Sequence, residues 1–598
     1  MRELEYPFNS NDILKRARRL KRELLARGSG RLKKKIAVLG GSTTHDIIRA
    51  MELFLLDAGI EPEFYESEYA QYWQDAMFPG EKLSTFAPDI VLICTSVRNI
   101  RTWPQIGDST EQIARLEEEE IARYTGMWDK LSADYHCPVI QNNFEDPSWR
   151  LMGNRDGWDS HGRVRYVRRL NERFAAYAEA HESFYLCDLA YIAASYGLDR
   201  WHDPLYWYMY KYAMGMEAIP YYAWNVAAII RSLFGKNKKA LVLDLDNTLW
   251  GGVVGDDGVE NLEIGEETAV GEAYAEFQEY LRAQKEIGVL LTVDSKNDEE
   301  NALAGLSHPD GRLKPEDFVC IKANWEPKSV NAAGIAQTLH ILEDSLVFVD
   351  DNPAEREIVR QQLPGTAVPE LPREPEQYLR ILDRSAFFEV TNLTEDDRGR
   401  TQMMRANADR EALKSTFADY GAYLRSLEMT ARIHAFDPVH YARISQLTNK
   451  SNQFNLTTRR FTQDEIAALA EDEHSITLCG SLADRFGDNG IVSLVAGRVE
   501  GSECHITLWL MSCRVLKRGM EQAMMDALAA ECAKRGVTKI FGYYYPTAKN
   551  GMVRDFYDER GFALIKSDEE GNTIWVLDPV GAYEPQNQFI RVTEGGEQ

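Results

Sequence analysis

The stretch Val242-Leu243-Asp244-Leu245-Asp246-Asn247-Thr248-Leu249-Trp250-Gly251-Gly252 decides how the middle of the chain folds. It completes an apolar run, residues 240–243, of the length expected for a buried strand of a parallel sheet. Two carboxylates follow two residues apart, and strand alternation puts both on one side. They emerge at the carboxyl edge of the sheet, where open α/β domains bind their ligands. One carboxylate can then attack phosphorus while the other, protonated, serves the leaving group.

The downstream sequence supplies further parts in order. Ser295, in Val293-Asp294-Ser295-Lys296-Asn297, follows a second apolar strand at 289–293 and is expected to hydrogen-bond a phosphoryl oxygen. Lys328, in Trp325-Glu326-Pro327-Lys328, neutralises charge developing on an equatorial oxygen. Asp350 and Asp351 follow a strand at 346–349 and complete an oxygen-only Mg²⁺ site. Between Asp246 and Ser295 there is room for a glycine-rich flap, 251–258, and one helix, 271–287. The Ser295–Lys328 interval is shorter still. So little cover predicts an open site, suited to a bulky or protein-borne substrate or to a neighbouring domain acting as the lid.

These four motifs together resemble the signature of the haloacid-dehalogenase (HAD) superfamily. The extended forms DLDNTLWGG, SKND, WEPKS and FVDDNPAER, with the run Gln446-Leu447-Thr448-Asn449-Lys450-Ser451-Asn452-Gln453-Phe454-Asn455-Leu456-Thr457, resemble its subfamily IIIC and the FkbH-like proteins. Residues 69–72 and Phe86-Ala87-Pro88-Asp89 resemble that family's N-terminal region, so the resemblance covers nearly the whole chain. It implies that Asp244 is the nucleophile and Asp246 the general acid/base. Ser295 and Lys328 would bind phosphate, and Asp244, the Asp246 carbonyl and one of Asp350 or Asp351 would hold Mg²⁺.

The resemblance also implies a reaction. A phosphorylated three-carbon acid, 1,3-bisphosphoglycerate, loses phosphate, and the glyceryl unit passes through a thioester to an acyl carrier protein in secondary-metabolite or polyketide-type biosynthesis. The family pattern has a cysteine just before the second-motif serine; Asp294 stands there in this chain. Cys513, in Ser512-Cys513-Arg514-Val515-Leu516, is the next candidate thiol, with a buried structural cysteine as its other reading. The alternative function is a HAD phosphatase without acyl transfer, its flanking domains only recognising substrate. A non-catalytic assembly protein is a third reading, opposed by the intact set Asp244, Asp246, Ser295, Lys328 and Asp350.

Upstream, strands at 35–39, 90–94, 138–141 and 184–186 alternate with helical stretches such as 44–59, which predicts a doubly wound, flavodoxin-like domain. Leu39-Gly40-Gly41-Ser42-Thr43 and the late Asp199-Arg200-Trp201-His202 resemble SGNH hydrolases. That resemblance implies a Ser42–His202–Asp199 triad with Asn99 or Asn143 donating to the oxyanion. Gly41 departs from the Asp usual there, and the same cleft also reads as a binding surface for a carrier protein or its acyl group.

Downstream, several strands and a helix at 519–535, with Arg514, Lys517, Arg518, Gly519, Asn550 and the stretch Phe556-Tyr557-Asp558-Glu559-Arg560-Gly561-Phe562, resemble the GNAT acyltransferase core. This implies a pantetheine-arm site, for phosphopantetheine or coenzyme A, at Arg514, Lys517, Arg518, Gly519 and Asn550. The basic residues there suit an acidic carrier protein, and a helix end that binds nothing is the other reading.

At 598 residues the chain is too long for one core. The expected architecture is α/β and multidomain: a basic N-terminal helix (1–35), an SGNH-like domain (36–233), a HAD Rossmann-like core with minimal cap (236–385), a helical linker (386–427), a GNAT-like α+β domain (428–580) and a tail (581–598), disordered over 593–598. The formal net charge of −26 disfavours nucleic-acid and anionic-membrane binding. Residues 15–35 are locally basic and read as an amphipathic helix with a solvated face rather than a membrane or partner anchor. The sequence shows neither a secretory signal nor a bilayer-spanning apolar run of about 18 residues. Eight scattered cysteines without a CxxC pair argue against a cysteine zinc site or a disulfide framework and fit a reducing cytoplasm.

Overall fold

The computed structural model describes all residues except 29, 394–398, 415, 452, 513, 514, 548 and 595–598. The chain divides into two compact units, Met1–Leu233 with Thr462–Glu465, and Phe234–Phe461 with Ile466–Gln598. Among the described residues no helix is long and apolar enough to cross a membrane.

The first unit is built on a parallel sheet of β1 (Leu32–Gly40), β2 (Ile60–Glu66), β3 (Ile90–Cys94), β4 (Val139–Asn142) and β5 (Phe184–Cys187), in the order β2-β1-β3-β4-β5. This is the flavodoxin-like doubly wound order. Strand β3 is buried along its whole length, as a central strand covered on both faces must be. Strand β2 has no apolar periodicity to announce it. It lies at the sheet edge, buries only Ile60 and tolerates Pro62 because an edge strand need not donate on both sides. The N-terminal helix Ser10–Ala26 is capped by the Asn9 side chain and buries Ile13, Ala17, Leu20 and Leu24. These fall at helical spacing and leave the basic residues on the other face, as expected. Residues 32–35, placed with this helix from sequence, instead open β1.

In the second unit, β6 (Ala240–Leu243), β7 (Leu290–Ser295), β8 (Cys320–Ala323) and β9 (Leu346–Val349) form a parallel sheet in the order β8-β7-β6-β9. Alternation along β6 sends Leu241 and Leu243 into one core and Ala240 and Val242 into the other. Strand β8, only half-buried at the edge, was not legible in advance. Within residues 386–427, helices Arg400–Lys414 and Tyr420–Ser426 are formed.

The C-terminal region is an eight-stranded sheet of β10 (Thr430–His434), β11 (Ser475–Asp484), β12 (Gly487–Glu500), β13 (Glu503–Met511), β14 (Lys539–Tyr544), β15 (Ala563–Ser567), β16 (Thr573–Leu577) and β17 (Arg591–Glu594). Strands β10 to β13 are antiparallel, whereas β13 and β14 run parallel and pair over only three residues. The helix Met520–Lys534 makes the crossover that a parallel pair requires. This splayed parallel pair is the GNAT-like arrangement expected. The tail is a correction: Thr593 and Glu594 belong to β17, which pairs with β10. Edge pairing gives their backbone groups partners that sequence polarity does not reveal.

The C-terminal region packs against the amino edge of the β6–β9 sheet. Lys239, Leu290 and Ser345, at or just before the starts of three strands, line a cavity with Arg443, Phe454 and Met511. Lys549 is ion-paired with Asp344 at that same edge. Asp244 and Asp350 emerge at the opposite edge, so this domain does not cover them.

Candidate active site

Asp244 follows β6 directly, and its N–H donates to the carbonyl of Val349 at 2.9 Å, which joins it to the end of β9. Lys328 opens the helix Lys328–Thr338 and is 3% exposed. Its Nζ lies 2.9 Å from Asp244 Oδ2 and donates to Asp350. Burial pulls the ammonium down, but the carboxylates of Asp244 and Asp350 together hold it above the ordinary lysine range. Burial, and then repulsion from Asp244, push the Asp350 carboxyl up to about 7. Asp351 is raised for the same two reasons.

Oxygens of Asp244, Asp350 and Asp351 lie within 4.8 Å of one another. Three carboxyl groups around one ammonium leave an excess of buried negative charge in an all-oxygen donor set. Those residues fit a hard divalent cation such as Mg²⁺. Thr248, fully buried, accepts from the Asp351 N–H at 3.1 Å and locks the first motif to the last. Arg356 donates to the carbonyls of Asp350 and Asp351, each at 2.7 Å. No role was read for Arg356 from sequence; its place three residues after Pro353, in a helix packed beside the loop, was the available signal.

The Asp246 carboxylate is held on three sides. Oδ1 accepts from Trp250 Nε1 at 2.9 Å, just before the flap, and from the Val254 N–H at 3.0 Å within it, and Oδ2 accepts from Asn297 Nδ2 at 2.7 Å. The flap is pinned by reciprocal backbone hydrogen bonds between Gly251 and Glu263. Ser295 ends β7 with its Oγ 3.5 Å from the same Asn297 amide. Asn297 therefore positions both the carboxylate and the hydroxyl, a role sequence reading missed. Asn297→Ala is expected to slow phosphate release by roughly 10- to 100-fold, less than the about 10²- to 10⁴-fold that a general acid/base contributes, because Asp246 itself remains. Steady-state phosphate assays beside an unchanged circular-dichroism spectrum would check it.

Asp294, at the position of the family cysteine, is fully buried, and its Oδ1 accepts from Asn331 Nδ2 at 3.1 Å. Its Oδ2 has no hydrogen-bond partner among the described residues. Burial pushes this carboxyl from 3.8 up to about 8. A group that binds its proton more tightly when folded loses stability as pH rises from the unfolded to the folded pKa. The cost of ionising Asp294 therefore develops from about pH 4 and is complete above about pH 8. Asp294→Asn, which cannot ionise, is expected to melt progressively higher than the parent across that window, with the gap level above it. Thermal melts against pH test this; a gap independent of pH would refute it.

The structure does not assemble the Ser42 triad. Ser42 is buried after β1, Asp199 lies in the short helix Leu198–Trp201, and no hydrogen bond joins His202 to either among the described residues. His202 Nε2 instead lies 3.0 Å from the Asp146 carbonyl, which can only accept, so this nitrogen carries the proton and is not free to take one from serine. Asn99 Nδ2 donates to the Gly41 carbonyl and Asn143 Nδ2 to Asp188, so each amide offered for an oxyanion already commits one of its two N–H groups elsewhere.

The pantetheine residues separate in the same way. Arg514, like Cys513, lies outside the described residues. Arg518 is buried, donating to Asn407 at 3.0 Å and lying 3.5 Å from Asp484, which Arg410 also binds. Asn550 is fully buried and uses its amide on the carbonyls of Asn455 and Tyr545 and its oxygen on the Thr547 N–H. Only Lys517 and Gly519 stay at the helix entrance, both at positive φ. There the Lys517 N–H already donates to Glu521 Oε1 at 2.9 Å, so a carboxylate occupies an amide meant for phosphate.

Comparison with known proteins agrees with the sheet geometry. Residues 35–231 match the family described as FkbH, N-terminal domain. The N-terminal part of the protein BF1531 from Bacteroides fragilis, containing a phosphatase domain complexed with Mg, is 32% identical, with 63% of this chain and 99% of that chain covered at a TM-score of 0.58. The ribosomal-protein-S18-alanine N-acetyltransferase from Escherichia coli is 14% identical over 25% of this chain and 94% of its own, with a TM-score of 0.20. For the spermidine N-acetyltransferase from Vibrio cholerae the values are 13%, 25%, 96% and 0.21. Strand order, not those two low scores, assigns the C-terminal fold. No curated protein matches the chain. With the four motifs gathered at one sheet edge and a third of the residues shared with a solved relative over nearly its whole length, the chain belongs to the FkbH-like family of HAD proteins.

Proposed function

We propose that this chain is a Mg²⁺-dependent phosphoryl enzyme that takes a phosphorylated small acid of the glycerate type and passes its acyl unit to an acyl carrier protein. The observation that carries the phosphoryl half is Lys328, buried between Asp244 and Asp350 beside an anchored Asp246. Asp244 attacks the phosphorus of the phosphate ester, the bond from phosphorus to the alcohol oxygen breaks, and Asp246 gives that oxygen a proton. The acyl phosphate is left for the carrier thiol, which attacks the acyl carbon while the carbon–oxygen bond to the second phosphate breaks and the thiol proton leaves with that phosphate. Asp246 then takes a proton from the water that opens the aspartyl phosphate, releasing inorganic phosphate and restoring Asp244. Lys328 and Ser295 bind the equatorial oxygens and offset the charge that grows on them. Asp244, the Asp246 carbonyl and Asp350 or Asp351 would hold Mg²⁺, which would supply electrostatic stabilisation of that charge.

The acyl half is supported by the family resemblance and by the minimal cap, which leaves the rim open beside exposed Trp325. A plain phosphatase is the second reading, favoured by one observation: no cysteine stands before Ser295. Cys320, on the neighbouring strand, is at its far end, opposite Thr292. The test is incubation with Mg²⁺, 1,3-bisphosphoglycerate and a holo acyl carrier protein, followed by intact masses of both proteins. A glyceryl adduct on the carrier is expected; phosphate release with the carrier unloaded refutes transfer of this acid and leaves the phosphatase.

A further inference from the structure

We propose that His434, Asp437 and His440 form a second metal site, on the C-terminal domain, for one transition-metal cation of the zinc class. His434 ends β10, and Asp437 and His440 flank Pro438 in the short turn that leads into the helix Tyr441–Lys450. One ligand atom from each lies within 4.8 Å of the other two. His440 Nδ1 is 2.8 Å from both Asp437 oxygens, and His434 Nδ1 is 3.2 Å from Oδ2. Ligand atoms at the corners of a tetrahedron with zinc bonds of about 2.0–2.1 Å stand about 3.4 Å apart. The three groups are therefore near coordinating distance already, and side-chain rotation alone would admit the ion.

The donor set also selects the ion. Two imidazoles and one carboxylate favour zinc and its neighbours over Mg²⁺, in contrast to the all-oxygen trio at Asp244. Three protein ligands leave a fourth position for water or an external ligand. The competing explanation is a hydrogen-bonded His–Asp–His cluster, in which both imidazoles direct a proton at one carboxylate. His434 Nδ1 also lies 2.8 Å from the Ala435 carbonyl, which can only accept, so metal binding requires this ring to turn and offer an unprotonated nitrogen, and Cys479 Sγ is 3.5 Å from Nδ1 across the β10–β11 pairing. Neither belongs to the three-atom set. A bound ion would fasten the end of β10 to the start of the helix that carries Gln446 to Lys450 of the family run.

The full-length protein, stripped with a chelator and returned to excess Mg²⁺, is titrated with Zn²⁺ against a chromophoric competitor. One Zn²⁺ per chain that Mg²⁺ does not displace is expected, and it should persist in Asp244→Asn. His440 is partly exposed, so His440→Ala should fold while weakening zinc by at least about 10-fold, and His440→Cys should restore the affinity. A thermal melt run on each variant separates ligand loss from unfolding. Absence of a Mg²⁺-resistant equivalent, its loss in Asp244→Asn, or undiminished affinity in folded His440→Ala and His434→Ala proteins would overturn the site.

Discussion

Asp244→Asn is expected to lower phosphate release by on the order of 10⁴- to 10⁶-fold, the scale on which loss of a catalytic nucleophile is felt. The change keeps the shape of the side chain and removes one of the three carboxylates gathered round Lys328. It takes one partner from Lys328 but leaves that ammonium paired with Asp350 and relieves repulsion on Asp350, so the folded state should lose far less stability than it does when Lys328 is removed. Rate and stability therefore move apart, and that separation is the diagnostic. Phosphate release and a thermal melt on the same preparation measure both. A variant retaining more than about a hundredth of the parent rate would place the nucleophile elsewhere.

The second large effect is expected at Lys328. Lys328→Met leaves Asp244 and Asp350 buried with no cation, a loss of about 3–5 kcal/mol when one partner of a buried pair is removed. Catalysis should fall as well, by about 10²- to 10³-fold, because a fixed positive group no longer meets the charge on the phosphoryl oxygens. The stability loss has a signature. Asp350, already raised to about 7 with Lys328 present, takes a proton more readily without it, so the deficit should shrink as pH falls. Added Mg²⁺ should also shrink it, by supplying the missing positive charge. Melts with and without Mg²⁺ at several pH values decide the matter. A deficit indifferent to both would mean that packing of the lysine stem, not its charge, is what Lys328 contributes.

Much of the catalytic centre was legible because it depends on short-range order. An apolar strand, an alternation of two residues and the edge of a parallel sheet are local rules, and they put Asp244, Ser295 and Asp350 at one edge wherever the strands pair. Lys328 was legible by its place in the motif order. Asn297, Trp250 and Arg356 were not assigned roles, although all three lie within quoted motifs. Their partners, Asp246 and the carbonyls of Asp350 and Asp351, become visible only when flap, strand end and helix meet.

The flanking domains divide on the same principle. Buried strands such as β3 and β6 announce themselves by continuous apolar runs, while β2, β8 and β17 are edges whose polarity resembles loop. A motif such as Ser42 with Asp199 and His202 states which groups are present. It does not state which nitrogen of His202 is already committed to the Asp146 carbonyl. Likewise Arg518 and Asn550 read as surface ligands until folding buries them against Asp484 and Asn455. By itself, then, the amino-acid order determined the two parallel sheets and which carboxylates stand at their carboxyl edge, because both follow from periodicity and spacing along the chain, whereas the class of the C-terminal sheet was legible only through its resemblance to the GNAT core. Tertiary structure alone decided which polar groups remain free for substrate, because hydrogen-bond partners distant in sequence compete for the same donors and acceptors, and a buried group must be satisfied before it can serve.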